Sequence, residues 1–235
     1  MLSLVTAEVL ALAMTTGGGV RVTPSEIVLS RSEWWVDLEL SAVEGPAVVR
    51  VRTFEWRQGS DGGMELAPSD AVFAYPVRLD IPAEGSRRVR IATRDAVRAI
   101  EGTYRIAVEV LAGADEVASL VLIPAFVAPE RVDARSRVVI VTQHGERAIW
   151  SVENAGTVHV RPAITARVVD AAGAPVSARD YGNWYVLAGT TRTYEADFTG
   201  SCPYGATLVV QADTGDSTVE IRRPWSCNGA TGAAR

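Results

Sequence analysis

The stretch EVASLVLIPAFVAP, from Glu116 to Pro129, decides the fold and function predicted for this chain. Its apolar residues leave neither face of an extended strand polar, which is typical of a strand buried on both faces. Pro124 interrupts the run, and because proline has no N–H for a sheet ladder it favours an edge strand or a bulge. Two interpretations follow: a closed core strand of a β-sandwich, or an edge strand that pairs with another protein by β-augmentation.

The composition restricts the class of protein. The chain has 235 residues, of which 48% are hydrophobic, enough for one large domain or two of ordinary size. No apolar run approaches the roughly 18 residues of a membrane span, so membrane insertion is not expected. The formal charge of −5 argues against a nucleic-acid partner. The arginines are spread along predicted strands, where solvated sheet faces are expected for Arg50, Arg52, Arg88 and Arg90.

Alternating apolar and polar residues predict an all-β protein. Val36, Leu38 and Leu40 alternate with acidic residues, and a first strand is expected over 19–29. Apolar residues occupy odd-numbered positions up to Val51 and even-numbered positions by Trp56. This change of apolar parity predicts a β-bulge near Thr53. The strand spacing predicts an immunoglobulin-like sandwich over residues 19–128, whose last two strands form a hairpin that ends in the apolar run.

A second sandwich is predicted over residues 137–227. The polar, proline-led residues 129–136 predict a linker before it. Its strand series includes predicted strands at Val158–Val169 and Trp184–Leu187. The small, polar residues 228–235 predict a disordered tail.

The two ends of the chain carry weaker signals. Residues 1–18 are interpreted as a weak signal peptide, because Glu8 interrupts the apolar stretch and no basic residue precedes it; a core strand is the alternative. Cys202 and Cys227 are the only cysteines, and an even count in an exported β protein favours one disulfide. Two free buried thiols remain the alternative.

Signals for an enzyme are poor. His144 is expected on a surface turn and His159 at an outward strand position. No cysteine motif, zinc spacing or phosphate-binding glycine loop is present, so neither catalysis nor a cofactor or metal is predicted. A pocket that joined one of these histidines to a carboxylate would favour an exported hydrolase.

A resemblance to a known family rests on motifs in order along residues 19–223. They include Trp56-x-Gln58, Leu66-x-Pro68, Ala74-Tyr-Pro76, Glu101-x-x-Tyr104-Arg105, Val152-Glu-Asn154-x-Gly156-x-Val-His159 and Trp184-Tyr-Val-Leu187. In this order and spacing the chain resembles the two-domain periplasmic chaperones of the chaperone–usher pilus pathway. The ending IPAFVAP is most similar to the branch that assembles archaic, spore-coat-like pili.

The resemblance implies a boomerang of two immunoglobulin-like sandwiches located in the periplasm. The last strand of the first domain would complete a pilus subunit that lacks its own final strand, until an outer-membrane usher takes the subunit over. Self-association of the empty chain is an open possibility. The expected subunit-binding residues are Leu120, Val121, Leu122, Ile123, Phe126 and Arg105. The alternative is a structural or adhesive surface protein built from two immunoglobulin-like modules.

The chain departs from the family at two positions. The family anchors the carboxyl terminus of the subunit with a basic pair, whose positions hold Glu26 and Pro124 here; Arg21, Arg105 or Arg131 are the possible substitutes. The family's interdomain glutamate corresponds to Glu101, but its arginine position holds Ala128. Arg131 is therefore the expected partner of Glu101, with a solvated carboxylate as the alternative.

Overall fold

All secondary structure that the structure describes is strand. The computed structural model describes residues 19–94, 98–113, 116–214 and 217–226, with the main chain alone at 140 and 141. The predicted all-β class is confirmed. In this part of the chain no helix is long and apolar enough to cross a membrane. The predicted signal peptide and tail lie outside the described residues.

The first sandwich consists of two sheets packed on one apolar core. One sheet has the strand order β1-β3-β8-β6, and the other has the order β2-β10-β9-β4-β5, with β7 also paired to β4. The strands are β1 (Val20–Thr23), β2 (Ile27–Leu29), β3 (Trp35–Ala42), β4 (Ala47–Gln58), β5 (Met64–Pro68), β6 (Val72–Tyr75), β7 (Arg78–Ile81), β8 (Ser86–Thr93), β9 (Gly102–Ala112) and β10 (Glu116–Val127).

The two-residue period explains how this core forms. Leu38 and Leu40 of β3 face Val89 and Arg87 of β8 in the ladder, and both leucines are fully buried. Alternate side chains of a strand point to the same face, so one apolar set enters the core while the polar set stays outside. The predicted hairpin is confirmed, because β9 and β10 pair antiparallel, with Ala112 opposite Glu116 at one end and Gly102 opposite Val127 at the other.

Two local predictions were wrong. The expected first strand divides at Pro24: β1 pairs with β3 in one sheet, and β2 pairs with β10 in the other. The expected bulge near Thr53 is absent, because the register of β4 with β9 runs unbroken from Val48 to Glu55. The apolar parity changes instead because Val51 faces the core, whereas Trp56 packs on the opposite face of the sheet.

The second sandwich has its own core around Trp150 and Phe198. Its sheets have the orders β11-β12-β15 and β14-β13-β16-β17. The strands are β11 (Ser136–His144), β12 (Arg147–Asn154), β13 (Ala163–Val169), β14 (Pro175–Tyr181), β15 (Thr191–Asp197), β16 (Thr207–Asp213) and β17 (Thr218–Pro224).

Two predicted strands of this half differ in the structure. β13 begins at Ala163, five residues later than expected. Residues 184–187 form no strand, and Val186 makes only an isolated bridge to Val160. This segment faces the first sandwich. There the side chains of Trp56 and Gln58 contact it in the place that a neighbouring strand would occupy.

Candidate functional site: the open edge of β10 and the cleft beside it

β10 is an edge strand over most of its length. It pairs with β9 along its length, with one shift of register between Val117 and Ser119, but on its other side β2 covers only Ala125–Val127. Within the described residues, no strand pairs with the segment from Glu116 to Pro124 on that side. We call this segment the open edge.

Pro124 fits the open edge without the loss of a ladder hydrogen bond. The N–H of Ala128 donates to the carbonyl of Leu29 at 2.8 Å, so even-numbered residues of β10 direct their main chain away from β9. Because these directions alternate along a strand, the nitrogen of Pro124 also faces away from β9. Leu120 and Leu122 direct their N–H and carbonyl groups to the open edge by the same alternation.

The expected subunit-binding side chains of β10 point in two directions. Val121 and Ile123 face the core of the first sandwich, and Ile123 is only 4% exposed. Leu120 and Leu122 lie on the outer face, where Leu120 is 52% exposed and Leu122 is half-buried. Phe126 is fully buried in a separate cluster between the two sandwiches.

This aromatic cluster consists of Trp56 and Phe126 from the first sandwich with Tyr185 and Leu187 from the second. The rings of Trp56 and Tyr185 meet edge to face with centroids 5.3 Å apart. Phe126 lies 5.6 Å from Tyr185. Trp56 is fully buried in this cluster and so joins the two halves of the chain.

Arg105, predicted to bind the subunit, lies on β9 next to the open edge, on the same sheet face as Trp56. It is the ladder partner of Pro124 and is 5% exposed. Its guanidinium lies 3.8 Å from the ring centroid of Trp56, a cation–π contact. Burial lowers the pKa of Arg105 to about 10, so the group is still charged at neutral pH. Its Nε is buried without a hydrogen-bond partner.

Glu26 lies in the same cleft and is held by the second sandwich. The hydroxyl of Tyr185 donates to Glu26 Oε2 at 2.6 Å. Burial, and then this hydrogen bond, raise the pKa of Tyr185 to about 12, so the phenol keeps its proton. Arg161 Nη1 lies 3.7 Å from the same oxygen, and its guanidinium is 4.8 Å from the ring centroid of Tyr185.

The partner of Glu101 is His159, and the expected ion pair with Arg131 does not form. Glu101 Oε2 accepts the main-chain N–H of His159 at 2.9 Å and contacts its Nδ1 at 2.8 Å. Arg131 contributes its main-chain carbonyl, which accepts the hydroxyl of Thr157. The expected outward position of His159 is also wrong, because its ring stacks on Phe126 with centroids 3.9 Å apart.

Gln58 makes a second polar connection between the halves. Its Nε2 donates to the carbonyl of Tyr185 at 2.7 Å. Its Oε1 accepts the N–H of Leu187 at 3.1 Å and the hydroxyl of Thr190 at 3.2 Å. The side-chain amide therefore bonds to the 185–187 segment as a peptide group of a neighbouring strand would.

The remaining predicted positions lie away from the cleft. Arg21 is in β1, in the other sheet of the first sandwich. His144 contacts the hydroxyl of Thr142 through Nδ1. Cys202 is disulfide-bonded, and Cys227, its predicted partner, lies outside the described residues. No group of three potential metal ligands occurs within the described ranges.

Solved structures of several pilus chaperones are similar to this chain in fold. In the CsuC–CsuE chaperone–tip adhesin complex of Acinetobacter baumannii, from archaic chaperone–usher pili, the matching chain has a TM-score of 0.62 at 15% identity, over 87% of this chain and 97% of that one. The class 5 fimbriae chaperone CfaA gives 0.57 at 9% identity, over 87% and 99%. The Escherichia coli chaperone DraB gives 0.52 at 14% identity, over 89% and 97%.

This chain has the fold of the pilus chaperones. The expected two-sandwich fold is thereby confirmed. Comparison of the sequence with family models and with curated proteins finds no match.

Several residues of the cleft in this chaperone fold had no predicted role in the sequence. The motif Trp56-x-Gln58 assigns no function to Gln58, and His159 was expected at the surface. The sequence carries no prediction for Arg161. The motifs Trp56-x-Gln58 and Val-His159 mark these places in the sequence. Nothing local to either motif shows that the two meet the other half of the chain.

Proposed function

We propose that this protein is a periplasmic chaperone that binds pilus subunits by lending them β10 as a missing strand. One observation carries the proposal: no strand of the described chain pairs with the open edge of β10, and Leu120 and Leu122 lie on the outer face there. A long apolar edge is a hazard for a protein that has no partner for it. A partner that pairs with this edge would satisfy its main chain and cover its leucines.

The energetics favour the outer leucines as the inserted side chains. Each leucine buried in a subunit would contribute about 1.5–3 kcal/mol before the costs of association. Val121 and Ile123 already face the core of the first sandwich, so they support the strand from beneath. Of the predicted binding residues, we therefore assign direct insertion to Leu120 and Leu122.

The cleft offers a cationic anchor that differs from the family pattern. Glu26 and Pro124 hold the family's basic positions, yet the guanidinium groups of Arg105 and Arg161 both lie close to Tyr185, 5.6 and 4.8 Å from its ring centroid. The buried Nε of Arg105 has no partner, which supports a role in the binding of a carboxylate from the subunit. In the empty protein, Glu26 partly balances this positive charge.

Delivery to an outer-membrane usher, and the archaic pathway in particular, extend the same proposal. They are supported by the motif resemblance and by the similarity to the chain in the CsuC–CsuE complex. Pairing of the open edges of two empty copies remains a prediction that rests on the same strand.

The test is co-purification from the periplasm of bacteria that also express candidate subunits from the same assembly system. Wild-type protein should yield a one-to-one complex. Leu122→Glu should abolish it while the free variant still melts cooperatively, because a carboxylate would enter an apolar groove unpaired. Val176→Glu is the matched control: Val176 is an exposed apolar residue on another edge strand, β14, and this variant should capture subunits normally.

The outcomes separate the alternatives. Capture retained by Leu122→Glu would show that the open edge is not the lent strand. A Leu122→Glu variant that unfolds, without any subunit captured by the wild type, would favour the structural or adhesive protein. The His159–Glu101 pair gives no support to an enzyme, because the imidazole stacks on Phe126 beside the tilted ring of Tyr185 and the carboxylate is bonded to the main chain of His159.

A further inference from the structure

Arg52 lies on the same sheet face as the two outer leucines. Leu122 pairs with Ala107, and Ala107 pairs with Arg52. Direct ladder partners direct their side chains to the same face, so these three residues form one row across β10, β9 and β4. Ala107 is only 2% exposed. The row therefore presents a leucine and a guanidinium on either side of a covered alanine.

The charge of Arg52 is poorly matched within the protein. In the next row, Glu109 receives a hydrogen bond from Arg50 Nε at 2.6 Å, whereas Arg52 Nη1 lies 3.5 Å from the other carboxylate oxygen. This long contact is the one ion pair recorded for Arg52 in the described part of the chain. The Arg52 side chain is 48% exposed, and its guanidinium lies 4.9 Å from the ring centroid of Phe54. Water therefore solvates much of its charge.

A bound subunit would remove that water. This step rests on the function proposed above. A sandwich that accepts β10 as a strand places one of its sheets beside the open edge and the other about 10 Å away, over the outer face. Arg52 is two strands from β10, or roughly 10 Å along the sheet, a distance that side chains and loops at the margin of this second layer can reach. A guanidinium buried there without a partner would oppose binding.

We propose that Arg52 is a specificity-determining residue that selects subunits with an Asp or Glu carboxylate on the layer that covers this face. A guanidinium can bind a carboxylate through two parallel N–H···O bonds, which adds direction to the charge attraction. Subunits that place an apolar or basic residue at this point would bind less tightly, because they would leave Arg52 desolvated with only its long contact to Glu109.

Two variants with the same change of charge test the proposal. Arg52→Gln is compared with Arg57→Gln, which removes an arginine of the same strand whose side chain is 70% exposed and pairs with Glu55. Arg57 has the opposite parity and so lies on the other face of β4. The probe is the subunit that co-purifies with wild-type protein, and its Kd is measured at low and high salt, with a melting curve for each free variant.

Arg52→Gln should weaken binding at least about 10-fold and reduce its dependence on salt, whereas Arg57→Gln should stay within about twofold of wild type. Substitution of the partner carboxylate in the subunit should weaken wild-type protein but not Arg52→Gln. Equal affinity of the two variants would overturn the role of Arg52 while leaving the chaperone proposal intact. Failure of the wild type to capture any subunit would overturn both.

Discussion

The side-chain amide of Gln58 donates a hydrogen bond to the main-chain carbonyl of Tyr185 across the two sandwiches, at 2.7 Å. Gln58 ends β4, whereas Tyr185 belongs to a segment of the second half without strand pairing of its own. Because Tyr185 also bonds to Glu26 and packs on Trp56, this one amide helps to fix the position of the whole cleft.

Gln58→Leu should loosen the relative orientation of the halves without unfolding either one. The change removes three hydrogen bonds and leaves the Tyr185 carbonyl and Leu187 N–H unpaired, at a cost of about 1–3 kcal/mol for each group that stays buried. The measurement is the distance distribution between spin labels on Arg88→Cys and Ala172→Cys, which should broaden. Gln143→Leu is the control, because Gln143 donates to main-chain carbonyls within the second half alone. Equal distributions for both variants would contradict the role of Gln58.

The two faces of β10 should respond oppositely to a buried charge. Ile123→Glu places a carboxylate in the first core and should lower the free energy of unfolding by about 4 kcal/mol or more. Leu120→Glu changes a half-exposed position and should alter it by about 0.5 kcal/mol at most. Urea denaturation of the free proteins measures both values. A similar loss in the two variants would mean that the outer face of β10 is packed in solution.

Arg105→Met should separate stability from subunit capture. The lowered pKa of Arg105 shows that burial of its charged form reduces stability, because the unfolded chain holds this proton more tightly. This loss of stability is fully present below about pH 10 and is relieved as the pH rises toward the ordinary pKa of arginine. Removal of the charge compensates for the lost contact with Trp56, and we expect unfolding free energy within about 1 kcal/mol of wild type.

Capture of subunits by Arg105→Met should nevertheless fall at least about 10-fold, because the proposed anchor for a carboxylate is lost. Arg94→Met serves as the control, since Arg94 lies over Phe73 on the other sheet. Unchanged capture would restrict Arg105 to a structural role.

Glu101→Ala should destabilise the protein far more than a surface carboxylate would. The change leaves the N–H and ring nitrogen of His159 without their acceptor in a buried site, at about 1–3 kcal/mol. Glu153→Ala removes an exposed pair with Arg137 and should cost about 1 kcal/mol or less. Chemical denaturation compares the two. Equal losses would place Glu101 among ordinary solvated carboxylates.

Much of the architecture could be predicted from sequence because the two-residue period is local. The alternation at Leu38 and Leu40 predicts a core strand correctly. The double-faced apolar run with Pro124 identifies β10 as unusual but leaves a closed core strand and an open edge strand as alternatives. The supposed bulge near Thr53 shows the limit of the method. A change of apolar parity has two causes, an extra residue or a second buried face, and the local pattern is the same for both.

The sequence by itself determined the all-β class and the unusual character of β10, since both depend on the order of apolar residues along one segment. Only the tertiary structure decided which side of β10 is free, that His159 meets Glu101, and that Arg52 lies in a row with Leu122. These relationships join residues far apart in the chain. Their distances depend on how sheets pair and how two sandwiches pack, which no local pattern of residues specifies.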